Sequence, residues 1–136
     1  MDKSKLKTLL VDQDSVLEDL ILGSLTGVAR LDNKTGEMYP VEGYQVLNPE
    51  AKICAFLMAR KAANILGLIE TEAAAPKAII DRTGMPMGTV NPTLRNLLKK
   101  GILSQTPKKE YFLPGHALSI ASQKIKGGKN GSGKSD

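Results

Sequence analysis

The chain has 136 residues, with 19 Lys+Arg against 14 Asp+Glu and a net charge of +5. That length is one domain, or one domain plus a small attachment, and 41% hydrophobic residues can fill a core without staples. One Cys excludes an internal disulfide framework and a Cys-based zinc finger, one His argues against His-dependent catalysis and closed metal sites, and 4% aromatics leave little for base stacking.

Residues 1–11, polar and then apolar, read as a frayed helical start. Asp14 or Ser15 caps a short helix through Leu22, with Val16, Leu17, Leu20 and Ile21 at helical spacing and Gly23 as its stop. Val28–Leu31 and Glu37–Val41 flank the turn-rich Asp32–Gly36 and predict a β-hairpin, with Gly36 near a positive φ and Pro40 on an edge. Tyr44 and Val46 add a short extended piece. Asn48-Pro49-Glu50 is a strong helix start: a capping side chain, a proline at the first position and an acid at the positive end of the dipole. This helix runs to about Leu66, before Gly67, and Ile53 to Ala59 are apolar on every side, so several neighbours must bury it. Cys54 within it is a buried, inert thiol.

Glu70–Ala75 is a linker with one or two strand residues. Pro76 opens a second helix, Lys77–Thr83, with Ile79 and Ile80 inward and Gly84 as its close. After the turn Met85–Gly88, Thr89 caps a third helix to about Lys100, which places Pro92 in its first turn, and Gly101 ends it. Val90, Leu94, Leu97 and Leu98 form one apolar face. Ile102–Thr106 and Glu110–Leu113 are short strands joined by the basic turn Pro107-Lys108-Lys109. Ala117–Ile125 is a last amphipathic helix, and residues 126–136 are a disordered Gly/Lys tail. No run is long and apolar enough for a membrane span, and Met1–Lys7 lacks the apolar core of a signal peptide.

The charge is split along the chain. Residues 1–48 carry five basic and eight acidic residues, net −3; residues 49–136 carry fourteen and six, net +8. Arg82 to Lys109 holds Arg82, Arg95, Lys99, Lys100, Lys108 and Lys109 and no acid, an electrostatic footprint for phosphate.

The order from residue 49 is long helix, short helix, turn, third helix and basic hairpin, specified by Ala78 to Leu103. It resembles the winged helix–turn–helix superfamily of DNA-binding domains over roughly residues 49–115. The resemblance implies a mostly α domain with a small β-wing at 49–125, preceded by an acidic helix and β-hairpin extension at 1–48. It also implies that the third helix enters the major groove while the wing touches phosphate or the minor groove. Away from its apolar face, that helix carries Gly88, Thr89, Pro92, Arg95, Asn96 and Lys99. Arg95 and Asn96 are the candidate base readers, because Arg forks onto guanine and Asn pairs with adenine. Thr89 and Asn91 flank them, and Lys99, Lys100, Lys108 and Lys109 are candidate phosphate contacts.

Other signals carry less. Gly128 to Ser135 matches a phosphate-binding loop formally, but only Asp136 follows, which leaves no room for the helix that chemistry needs. Cys54 and His116 have no spacing that pairs them, and Asp12, Asp14, Glu18 and Asp19 are spaced as a solvated helix face. Two glycosylation patterns, at Asn33 and Asn130, have no secretory context. The expectation is a cytoplasmic, nucleoid-associated, prokaryotic-type transcription regulator: not an enzyme, with no cofactor, metal or membrane, and with double-stranded DNA as partner. Residues 1–48 are a candidate surface for a homodimer or another protein. The alternative is a non-catalytic adaptor that uses the same module inside a larger complex.

Overall fold

The computed structural model describes residues 3–9 and 13–128. In chain order the elements are α1 (Lys3–Leu6), a 3-10 turn (Lys7–Leu9), α2 (Gln13–Leu25), β1 (Ala29–Leu31), β2 (Met38–Pro40) and α3 (Glu42–Gln45). They continue as α4 (Pro49–Ile65), α5 (Pro76–Thr83), α6 (Met87–Lys99), β3 (Ser104–Gln105), β4 (Tyr111–Phe112), a 3-10 turn (Gly115–Ala117) and α7 (Leu118–Gly127). Among the described residues the chain is mostly helical, with two antiparallel two-stranded sheets, β1–β2 and β3–β4.

The middle helix forms where its caps demand. The Asn48 side chain accepts the Ala51 N–H at 2.9 Å, and Pro49 stands at the first position, where no N–H is needed. The helix closes at Gly67, which donates to Asn64 O, while Leu68 donates to Ala63 O. Ala51 and Ile53 to Ala59 are all buried, so α4 is covered on every side. Truncating Leu57 to Ala in such a site costs about 2–5 kcal/mol. One contiguous core joins Ile21, Leu25, Ala29, Met38, Tyr44 and Leu47 to α4 and to the elements after it.

Several expectations need correction. α2 does not stop at Gly23 but runs to Leu25. Its packing explains this: Ile21, Ser24 and Leu25 are buried, and the Ser24 and Ser122 hydroxyls share a 2.7 Å hydrogen bond between α2 and α7. Those contacts outweigh the ~1 kcal/mol penalty of an interior glycine. Tyr44 is not extended but sits in α3, where its hydroxyl donates to the buried Thr83 carbonyl at 2.9 Å. The strands after α6 are shorter than predicted. Ile102 and Leu103 both donate to Leu97 O, so they complete the helix end around Gly101 (φ +78) and point into the core. The last helix reaches Gly127, so residues 126–128 are not a loose tail. Gly128 O accepts the Asn48 N–H at 2.7 Å, and a Cβ there would lie 2.5 Å from Ala51 Cβ. The phosphate-loop match from residue 129 on lies outside the described residues, as does Asp12.

Other expectations hold. Asp32 Oδ2 accepts the Lys34 and Thr35 N–H groups at 2.9 and 2.7 Å, Gly36 has φ +76, and β1 pairs with β2 in the register Arg30↔Tyr39. α5 begins at Pro76 and closes on Gly84 in the left-handed conformation. Ala74 forms an antiparallel bridge with Tyr111, which is the single strand residue expected in the linker. Arg60 fixes the approach to it: its Nε donates to Glu72 O at 3.0 Å, and its Nη2 to Thr71 O and Ala73 O at 2.9 and 3.0 Å.

Two measurements follow. Tyr44→Phe leaves the Thr83 carbonyl buried without its donor and is expected to cost about 1–3 kcal/mol, read as a lower denaturant midpoint at constant slope. Cys54 is buried, and burial pushes its thiol up to about 12. Its alkylation in the native protein is expected to be at least ~10³-fold slower than in a denatured control. Labelling at comparable rates overturns the inert-thiol reading.

Candidate nucleic-acid interface

α6 is positioned by its apolar face. Val90, Leu94 and Leu97 are buried, Leu98 is half-buried, and the helix packs against α4 and α5. The opposite face is thereby turned outward, and Gly88, Pro92, Arg95 and Lys99 on it are exposed.

The helix starts earlier than its sequence signals predict. Pro86, in extended backbone, is the N-cap; its carbonyl accepts the Val90 N–H at 3.0 Å. Thr89 is therefore inside the helix rather than its cap, half-buried, with its own carbonyl accepting the Thr93 hydroxyl at 2.7 Å. The proline's fixed φ suits an N-cap, and this displaces the threonine by three residues. Pro92 consequently lies in the second turn, not the first. It supplies no N–H to Gly88, so that carbonyl receives no i+4 hydrogen bond and stays on the outer face.

The remaining candidates divide into two groups. Arg95 and Lys99 are exposed and have no acidic partner among the described residues. Asn91 is half-buried at one flank. At the other flank, Asn96 and Lys100 meet Glu50 from the first turn of α4. The Asn96 amide donates to Glu50 Oε2 at 2.6 Å, Lys100 Nζ lies 3.4 Å from the same oxygen, and Lys124 Nζ of α7 lies 2.8 Å from Oε1. The Lys124 hydrogen bond is the main reason the Glu50 carboxyl sits below its ordinary value; partial burial opposes it. Glu50 is thus the residue that sequence reading missed, taken there only as a dipole partner. Arg82 is likewise engaged, by Glu37 from the N-terminal hairpin.

Lys108 and Lys109 are exposed at the β3–β4 turn. Lys109 donates to Thr106 O at 2.8 Å, and Thr106 N–H to Glu110 O at 2.8 Å, so a three-residue loop closes the hairpin. Lys109 has φ +64, the one non-glycine residue with positive φ among those described. Glycine suits that backbone better, and a lysine there stores strain. His116 is exposed in the 3-10 turn before α7, while Cys54 is fully buried in α4. Among the described residues, no helix is long and apolar enough to cross a membrane. No family model, curated protein or solved structure matches this chain.

The Glu50 cluster has a pH signature. A carboxyl whose folded pKa is depressed stabilises above its unfolded value, here the ordinary 4.5, and that stability is lost as pH falls through the lower folded value. Glu50→Gln is expected to cost about 0.5–1 kcal/mol at pH 7, with the gap to wild type narrowing as pH falls below the ordinary 4.5 and closed once pH lies under the lower folded value. Thermal midpoints of both proteins across pH 3–8 check this. A gap that stays constant down to the acid end removes the cluster's electrostatic role.

Proposed function

We propose that this chain binds double-stranded DNA with sequence preference through a winged helix–turn–helix and acts as a transcriptional regulator on the nucleoid, in the cytoplasm. The order α4, Ala74 bridge, α5, α6 and β3–β4 supports that architecture. One observation carries the reading: the outer face of α6 combines low bulk at Gly88 and Pro92 with Arg95 and Lys99, which no acid among the described residues pairs with. Arg95 is the leading base reader, able to fork onto guanine. Asn96 contacts a base only by leaving Glu50, so it ranks below Arg95. Lys99, Lys108 and Lys109 are the leading phosphate contacts; Lys100 is held by Glu50, and Thr89 and Asn91 are flanking contacts.

Pairing of Arg82 and Lys100 reduces six available cations to four. With four phosphates neutralised, affinity is expected to fall about 10²-fold between about 50 and 200 mM salt, against about 10³-fold for six. Fluorescence anisotropy with mixed duplex DNA measures this, and absence of binding at about 50 mM salt overturns the proposal. Arg95→Ala is expected to relax preference at one base, at about 1–3 kcal/mol of discrimination.

Lys109→Gly separates fold from function. Relief of the left-handed lysine is expected to stabilise the protein by about 1 kcal/mol, while loss of a phosphate contact lowers affinity for all sequences and reduces the salt slope by about one. Stabilisation with unchanged binding removes the wing from the interface.

A non-catalytic adaptor is the second reading. It is favoured by Met87, which is 61% exposed at the start of α6, where a partner would find apolar surface. Met87→Ser that leaves DNA affinity intact but abolishes capture of a protein from nuclease-treated lysate supports that alternative.

A further inference from the structure

We propose that the apolar groove between α2, β1 and the end of α4 receives the Lys3–Leu9 arm of a second copy of this chain, and that two copies exchange arms reciprocally. The groove holds about 650 Å³ and is lined by Leu22, Leu25, Ala29, Leu31, Ala62 and Leu66, among others. Leu22 and Leu66 on its walls are 65% and 67% exposed, and the adjoining Ile65 is 56% exposed. Three large aliphatic side chains around one groove form a patch of the kind that marks an interaction site.

The arm is the matching half. Leu6 and Leu9 lie three residues apart and are 51% and 76% exposed. Lys3 and Lys7 give the arm positive charge, and residues 3–9 hold no acid. The groove-facing helix has the opposite sign. α2 carries Glu18 and Asp19 and no basic residue. Glu18 is one helical turn before Leu22, on the same face, and Asp19 borders it; both are exposed. Arg30 lies on the β1 side of the groove, which directs the lysines of the arm toward α2.

One chain therefore carries both halves of an apolar contact of opposite charge and leaves both exposed. Exchange between two copies satisfies both at once through a two-fold axis, and the assembly closes at a dimer. The contact uses none of the residues assigned to DNA, so its success or failure leaves that reading untouched.

Sedimentation of the full chain from about 1 to about 200 µM tests it. The expected result is a reversible rise from 14.6 kDa toward twice that mass. Leu6→Glu with Leu9→Glu, and separately Leu22→Glu with Leu66→Glu, are expected to give monomers. All four positions are exposed, and unchanged circular dichroism with a protected Cys54 establishes that the variants are folded. Glu18→Lys with Asp19→Lys is expected to weaken the dimer about tenfold, and adding Lys3→Glu with Lys7→Glu in the same chain to restore it. A wild type monomeric at about 200 µM overturns the proposal, and includes the case of an arm folded onto its own groove. An arm variant that dimerises like wild type also overturns it, because the contact is then groove to groove. Charge reversal without restoration overturns the assigned pairing.

Discussion

Burial of α4 on every side is the constraint on which the rest of the structure depends. A helix with Ile53 to Ala59 all inaccessible needs a wall in each direction. α2 and the β1–β2 hairpin supply one, α5 and α6 another, and α7 a third. Each wall contributes its own apolar residues: Ile21 and Met38 on the first, Ile79, Val90 and Leu94 on the second, Leu118 and Ile125 on the last. The N-terminal segment is thus part of the enclosure of α4, although its net charge is opposite to that of the remainder. The outward face of α6 follows from the same constraint. Once Val90, Leu94 and Leu97 are committed to the core, the geometry of the helix leaves Arg95 and Lys99 facing away from it.

Polar contacts then fix what apolar packing leaves loose. Glu50 stands in the first turn of α4, yet its carboxylate is shared by Asn96 and Lys100 of α6 and Lys124 of α7. Apolar contacts alone resist rotation of α6 weakly, because they are not directional. A carboxylate held by two helices defines which flank of α6 faces α4. Tyr44 does similar work at the far end of α5, joining α3 to the Thr83 carbonyl, and Arg60 holds Thr71 to Ala73 so that Ala74 meets Tyr111. These polar anchors sit at the junctions between elements, where the chain changes direction and the periodic apolar pattern is interrupted.

Local chemistry was legible wherever local chemistry decides. Asn48-Pro49, Asp32 with Gly36, Pro76, Gly84 and Gly101 each set a terminus or turn by the conformations their own residues allow, and these boundaries fall within a residue or two of expectation. The start of α6 is displaced by a local competitor, Pro86, which caps three residues before Thr89. The other failures arise from partners distant in sequence. Gly23 reads as a stop until Ser24 and Leu25 are known to be buried against other helices. Tyr44 reads as a strand residue until a carbonyl 39 residues away is available to its hydroxyl. At the candidate site, the outward side of α6 is legible from the spacing of its leucines. The engagement of Asn96 is not, because its partner lies 46 residues earlier and no local pattern marks that pairing.

The same distinction changes the meaning of the acid-free run from Arg82 to Lys109. Along the chain it holds six cations and no anion. In space Arg82 meets Glu37 and Lys100 meets Glu50, so carboxylates from before residue 51 neutralise two of the six. On the DNA reading, a count along the sequence therefore overstates the charge free to meet phosphate, and the salt dependence expected from it. Of the cations that stay open, Lys109 is the informative one. Its φ of +64 strains any side chain beyond glycine, and Glu110 and Thr106 close the hairpin through backbone and threonine groups that need no lysine. Among the described residues the Lys109 side chain makes no hydrogen bond or ion pair that would offset that strain. On the DNA reading, a charge at the tip of the hairpin offsets the strain each time a phosphate is bound.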